Sequence, residues 1–207
     1  MNEKVKGIRS RIGRILYSIF RTEKIFVFER TLTNLCPKAK VKVEVDVKLV
    51  QRDEFPKIAN NFKKFKVDVE AIFEDGRMCA IAEIDGDLVH WTFVAFNEAY
   101  VMEIERKIRV SSDSAYLYAG YTAPEYRGLG IASKAMVKIL CYLHERGIKK
   151  AHALIHPNNF PSLRYTHKLG FKKIGTITFI KICKLKLYKC KDETKEDYNT
   201  LMKMLSI

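Results

Sequence analysis

Paired cysteine motifs are missing from this sequence. Its five cysteines (Cys36, Cys79, Cys141, Cys183 and Cys190) are odd in number and include no C-x-x-C pair, a usage that fits reduced thiols in a cytoplasmic protein and argues against a zinc site. Glycine and proline are sparse, at 10 and 5 of 207 residues, which excludes collagen-like and low-complexity chains. Long apolar runs are missing too: uncharged stretches such as Leu88–Asn97 fall far short of the ~18–20 residues that a membrane-spanning helix needs. The apolar stretch Ile15–Phe20, preceded by Gly13-Arg14, is too short for the core of a secretory signal. Acidic residues are in deficit, 24 against 38 Lys plus Arg, for a net charge of +14. What the chain does have is 47% hydrophobic and 11% aromatic residues, enough to bury a sizeable core, so it is not intrinsically disordered.

The positive charge points to an anionic partner: nucleic acid, an anionic membrane surface or a phosphate-rich small ligand. No specific nucleic-acid motif accompanies it. Basic residues crowd the N-terminus (Lys4, Lys6, Arg9, Arg11, Arg14, Arg21) and the tail (Lys181, Lys184, Lys186, Lys189, Lys191). Ile8, Ile12, Ile15, Leu16, Ile19 and Phe20 recur as one helical stripe among arginines, which predicts a basic amphipathic helix over residues 4–20. Such a helix can dock on its own domain, bind a partner or lie on an anionic membrane. In the tail the lysines alternate with Ile182, Leu185, Leu187 and Tyr188, the pattern of a strand with a solvated lysine face. On an edge, that face deters pairing; the alternative is that the edge near Lys181–Cys190 pairs between subunits of a homo-oligomer.

Elsewhere the patterns alternate between strand and helix. Strands are predicted at Ile25–Leu32, Val41–Val50, Ala115–Thr122 and Lys150–Ile155, and from Lys172 onward. Helices are predicted at Asp53–Phe65, Ile131–Glu145 and Ser162–Leu169, and Val67–Phe73 is ambiguous. Asp85-Gly86 between Arg77–Ile84 and Asp87–Phe96 marks a hairpin, because Asp-Gly accommodates a tight turn. With no internal repeat and no Gly/Ser linker, the chain reads as an N-terminal helix (residues 1–22) followed by one α/β domain (residues 23–207).

The informative segment is Tyr121–Ser133, Y-T-A-P-E-Y-R-G-L-G-I-A-S. A strand runs through Pro124 into a turn carrying Arg127, Gly128 and Gly130, and Ile131-Ala132-Ser133 then opens a helix. Glycines let successive N–H groups converge, and the helix adds its positive end, which together form an anion cradle. It is not a Walker loop, for no Gly-Lys-Ser/Thr follows, and the three glycines of the dinucleotide fingerprint are not there. Further on stand Ile155, Asn158-Asn159, Ser162 and then Lys168-Leu169-Gly170-Phe171. In both blocks, over Ala115–Ile174, the chain resembles the GNAT superfamily of acetyl-CoA-dependent N-acetyltransferases. Arg127, Gly130 and Ala132 match that family's R/Q-x-x-G-x-G/A coenzyme A loop.

The resemblance implies a single α+β domain with a mixed, mostly antiparallel sheet flanked by helices, the N-terminal helix being an addition. It implies acetyl-CoA as cofactor, with the pyrophosphate on the backbone of Arg127, Gly128, Leu129, Gly130, Ile131 and Ala132 and an extra donor at Ser133. It implies that Tyr121, Thr122 and Ala123 pair with the pantetheine arm, that a backbone N–H there polarises the thioester carbonyl, and that Asn159 meets the arm or caps its helix. The family's general-acid tyrosine falls at Thr166, one residue after Tyr165. Tyr165 is therefore the tentative acid, with Tyr118, Tyr121 or water as alternatives. Glu103, Glu105, Asp113, His90 and His156 are the candidate bases. The implied reaction is transfer of the acetyl group to an amine by direct attack in a ternary complex. The alternatives are a non-catalytic coenzyme A-binding module and a basic adaptor for a membrane or nucleic acid. No motif specifies the amine substrate.

Overall fold

The computed structural model describes residues 19–33, 38–65 and 77–205. The amphipathic helix expected over 4–20 lies, up to residue 18, outside these residues, as does the ambiguous Val67–Phe73 segment.

The described chain forms ten strands and four helices of 9 to 15 residues. The strands are β1 (Phe20–Thr31), β2 (Asp46–Val50), β3 (Met78–Ile84), β4 (Asp87–Ala95), β5 (Glu98–Val101), β6 (Arg106–Arg109), β7 (Ser114–Thr122), β8 (Lys150–Ile155), β9 (Lys172–Ile182) and β10 (Leu185–Asp192); the helices are α1 (Phe55–Lys63), α2 (Ile131–Glu145), α3 (Phe160–Lys168) and α4 (Lys195–Leu205). Eight strands make one sheet in the order β10-β9-β1-β8-β7-β4-β3-β2, and β5 and β6 form a separate hairpin. The pairings are antiparallel except β7 with β8, which run parallel. This is the mixed, mostly antiparallel sheet flanked by helices that the sequence led us to expect.

Local chemistry explains the first half. Asp85 and Gly86 both take positive φ, 51° and 84°, as the tight turn between β3 and β4 requires. α2 buries Ile131, Ala135, Met136, Ile139, Leu140 and Leu143, one stripe that packs on Val47, Ala80, Ala82, Val94 and Leu117 of the sheet. On the opposite face, Phe55 and Phe62 of α1 meet Ile81, Trp91 and Phe93. Beside them the β5–β6 hairpin and Leu201, Met204 and Leu205 of α4 cover Ile25, Val27, Ile177 and Phe179.

Four expectations need correction. β1 starts at Phe20 rather than Ile25, so the last residue assigned to the N-terminal helix belongs to a strand. The strand expected at Val41–Val50 begins only at Asp46. Before it, residues 38–45 form a strap whose backbone bonds go elsewhere: Lys42 N–H donates to Leu129 O (2.9 Å) and Val45 O accepts from Lys134 Nζ (2.7 Å). The tail is not one strand but a hairpin turning at Cys183, φ 53°, and α4 follows where only strands were expected. Cys141 is disulfide-bonded, against the expectation of reduced thiols, whereas Cys79, Cys183 and Cys190 are free.

Candidate active site

The site is built where β7 and β8 part. They pair only from Ser114↔Lys150 to Leu117↔Ala153, so Tyr118–Thr122 keeps an edge that no described strand occupies. A bulge lies opposite Thr92, between the pairs Trp91↔Tyr121 and Phe93↔Tyr118, with Ala119 at φ 49°. Ala123 N–H donates to Val89 O (2.9 Å). Alternation along an antiparallel ladder therefore turns the N–H and C=O of Thr122 away from β4 and into the gap. The carbonyl is taken by Arg127 Nε at 3.0 Å, which leaves the Thr122 N–H facing the opening.

From Thr122 the chain makes a single 3-10 turn at Pro124–Tyr126 and enters the glycine turn. Arg127 N–H closes that turn on Pro124 O (3.3 Å), and the Arg127 guanidinium lies 6.0 Å from the Tyr121 ring centre. Arg127 thus staples the turn to the strand end. Among the described residues no backbone acceptor takes the N–H groups of Gly128, Leu129 or Gly130. Those of Ile131, Ala132 and Ser133 are the first, unpaired donors of α2, and Gly130, at its N-cap (φ 87°), supplies no capping side chain. Buried Ile131 and partly buried Leu129 anchor the loop in the core. The result is a run of unpaired backbone donors leading into a helix N-terminus.

The two glycines differ in their surroundings. At Gly128 (φ 77°) a Cβ would meet nothing within 4 Å, whereas at Gly130 it would collide with the carbonyl oxygen of Lys40 in the strap. Gly130 is thus needed both for its positive φ and for the close approach of residues 38–45.

His90 is the candidate base nearest this edge. It is buried in β4 with Nδ1 2.8 Å from Thr122 Oγ1 and Nε2 3.0 Å from Thr92 Oγ1. Burial lowers its pKa to about 4, so the ring is neutral at pH 7 and fixes the Thr122 side chain. Of the other candidates, His156 stands at this end of β8, and the carboxylates are held by other groups or exposed. Glu105 sits in the turn between β5 and β6, ion-paired with Arg21, Lys181 and Lys186, and its hydrogen bonds to the two lysines lower its pKa to about 2. Glu103 is exposed in the neighbouring 3-10 turn. Asp113 lies at the opposite end of β7, held below its usual range by Ser111 and Ser114 hydroxyls. His156, just past β8, accepts from Asn158 N–H at Nδ1 (3.1 Å) and faces Glu23 at 3.8 Å.

Asn159 caps α3, its Oδ1 accepting from Ser162 N–H at 3.3 Å, so the capping role is filled. Tyr165, on the same helix, packs against the α2-side core, and its burial pushes the phenol pKa up. An aromatic wall missed by sequence reasoning stands on the α1 side of the splay. Trp91 stacks on Tyr121 (4.4 Å between centres, 21° between planes), Phe65 meets both edge-on, and Tyr118 packs on Phe93. The alternation of Trp91 and Phe93 with His90 and Thr92 was its available signal.

The description of the acetyltransferase (GNAT) family matches residues 47–171 of the chain. This chain belongs to the GNAT acetyltransferase family. No curated protein sequence matches it. Among solved structures it is similar to a putative GNAT-family acetyltransferase from Novosphingobium aromaticivorans (15% identity, 84% of this chain and 66% of that one, TM-score 0.52). It is also similar to a GCN5-related glucosamine N-acetyltransferase region of a fungal multi-domain β-N-acetylglucosaminidase (14%, 83% and 23%, 0.52). The aminoglycoside N-acetyltransferase AAC(6')-Iy, solved with coenzyme A, matches over 62% of this chain and 92% of its own at 20% identity, with a TM-score of 0.47. Similarity at these identities speaks to the fold alone. GNAT enzymes use acetyl-CoA, and the present residues fit it: the glycine turn offers donors for a pyrophosphate, and the open edge of β7 offers a ladder for an extended amide arm. Among the described residues no helix is long and apolar enough to cross a membrane.

Proposed function

We propose that this protein transfers the acetyl group of acetyl-CoA to an amine by direct attack in a ternary complex. The observation that carries the reading is the conjunction of the β7 edge at Ala119–Thr122, which no described strand pairs on the β8 side, with the free donors of Gly128–Ser133 directly after it. Bound acetyl-CoA supplies an activated thioester. The protein's residues do the rest. The turn and the α2 N-terminus hold phosphate charge, and Thr122 presents its backbone N–H to the arm, while Tyr121 and Ala123 turn theirs to β4. Thr122 N–H is the donor that suits an acyl oxygen gaining negative charge. His90, neutral and bonded to the Thr122 hydroxyl, positions that strand end. Tyr165, whose raised pKa keeps its proton in place, is the proposed donor to the departing thiolate. Asn159, with Oδ1 committed to its cap, has its amide N–H groups left for the arm.

Gly128 offers a clean test, because a side chain there enters open space and Asp and Asn tolerate a left-handed backbone. Acetyl-CoA is expected to raise the melting midpoint of wild type by several degrees, since a ligand at a hundredfold excess over Kd stabilises by about 2.7 kcal/mol. Gly128→Asn should keep the shift, and Gly128→Asp, with a carboxylate beside the phosphate, should lose it. Thiol release with an amine panel then tests turnover. A wild type without a shift ends the cofactor reading, and a shift without thiol release from any amine ends the transferase reading.

A further inference from the structure

β1 outruns its neighbour. It pairs with β8 only over Phe26–Thr31, while Phe20–Ile25 pairs with β9 alone. At ~3.3 Å per residue, β1, β9 and β10 therefore project as an arm roughly 20 Å past Phe26. They project at the sheet end where β7 and β8 part, because β1 runs antiparallel to β8.

Register sorts the two faces of this arm. One is closed: Arg21, Lys181 and Lys186 converge on Glu105, and Arg21 lies over Phe179. The other is uncovered by the described residues and graded in rows. Outermost are Phe20, Ile182 and Leu185, then Thr22, Ile180 and Leu187, and next Lys24, Thr178 and Lys189. Phe20 and Leu185 are each 58% exposed, Leu187 47% and Ile182 46%, values that a solvated sheet face does not call for. Lys24 and Lys189, both exposed, flank Thr178 directly behind the apolar rows, and Lys184 stands at the hairpin tip.

We infer that this face docks on an anionic lipid surface, the apolar rows entering the headgroup boundary and the lysines meeting lipid phosphates. An apolar tip backed by a lysine row matches the two requirements of interfacial binding, buried apolar area and attraction to anionic lipid. The same lysines, on a chain of net charge +14, oppose a second copy in this place. Docking would turn the opening between β7 and β8 toward the bilayer.

The experiment is co-sedimentation of the full chain with phosphatidylcholine vesicles with or without phosphatidylglycerol, at low and raised salt. Wild type should pellet with the phosphatidylglycerol vesicles and be released by salt. Leu185→Ser/Leu187→Ser and Lys24→Glu/Lys189→Glu, which alter exposed side chains, should keep the wild-type melting midpoint and lower the partition coefficient by at least about tenfold. Three results overturn the inference: equal binding to phosphatidylcholine alone, folded variants that pellet like wild type, or a wild-type dimer in sedimentation velocity that Leu185→Ser/Leu187→Ser converts to monomer.

Discussion

The two halves of the sheet are assembled by different rules. From β2 through β3, β4 and β7, each strand lies beside one that is near in sequence, joined by turns such as Asp85-Gly86. From β8 to β10 the order breaks, because β1, from the start of the chain, is inserted between β8 and β9. The family match begins at residue 47, so the strand that completes the second half lies outside it. A recognised block can thus depend for its closure on a segment that the family pattern does not contain.

If β1 is structural rather than appended, a core deletion there costs as much as one in the matched half. Phe28 in β1 and Phe93 in β4 are both fully buried. Each truncation to Ala is expected to cost about 3–5 kcal/mol in denaturant unfolding. A cost near 1 kcal/mol for Phe28→Ala would make β1 an appendage and break the comparison.

The same contrast explains what could be read from sequence. The Asp-Gly hairpin, α2 and the glycine turn announce themselves through neighbouring residues, and all three stand where expected. Ile25–Leu32 reads as a strand, but nothing within Phe20–Thr31 names partners some 120–160 residues away. The strap at 38–45 alternates like a strand because Val41 and Val43 also pack on a core; only Leu129 and Lys134 decide that its bonds go to a turn and a helix. At the site the donors of Gly128–Ser133 were legible from local spacing. The commitment of Ala123 to Val89, and the tie between His90 and Thr122, belong to β4 and were not.

Acid should probe both halves. His90 lies in β4, and His152 lies in β8 opposite Glu29 of β1, its Nδ1 3.8 Å from that carboxylate and without a hydrogen bond. Burial lowers each to about 4 from an ordinary 6.5, with Lys150 adding to the effect at His152. Above pH 6.5 both are neutral folded or unfolded, and stability is full. As pH falls from 6.5 to 4 the unfolded chain takes up protons that the fold refuses, so stability is lost across that window. At about 1.4 kcal/mol per unit, each histidine accounts for up to roughly 3 kcal/mol. Urea unfolding against pH should show the loss, and His90→Gln and His152→Gln should each remove one part. If only one variant flattens the profile, the two halves do not share the sensitivity.

The smallest effect separates the glycines of one turn. Gly128→Ala meets open space and pays only for a left-handed backbone, about 1–2 kcal/mol. Gly130→Ala carries that strain and also drives its methyl into the Lys40 carbonyl, so the strap must shift. The strap is held by Lys42 N–H on Leu129 O and by Lys134 on Val45 O, and Lys138 on Val47 O holds the first residues of β2 behind it; losing one such bond costs about 1 kcal/mol. Gly130→Ala is therefore expected to melt below Gly128→Ala by an amount worth about 1 kcal/mol or more. Lys134→Met, which frees Val45, should shrink that difference by giving the strap room to move. Equal melting for the two alanines would mean that residues 38–45 do not bear on the turn, and would leave the glycine pattern to the cofactor alone.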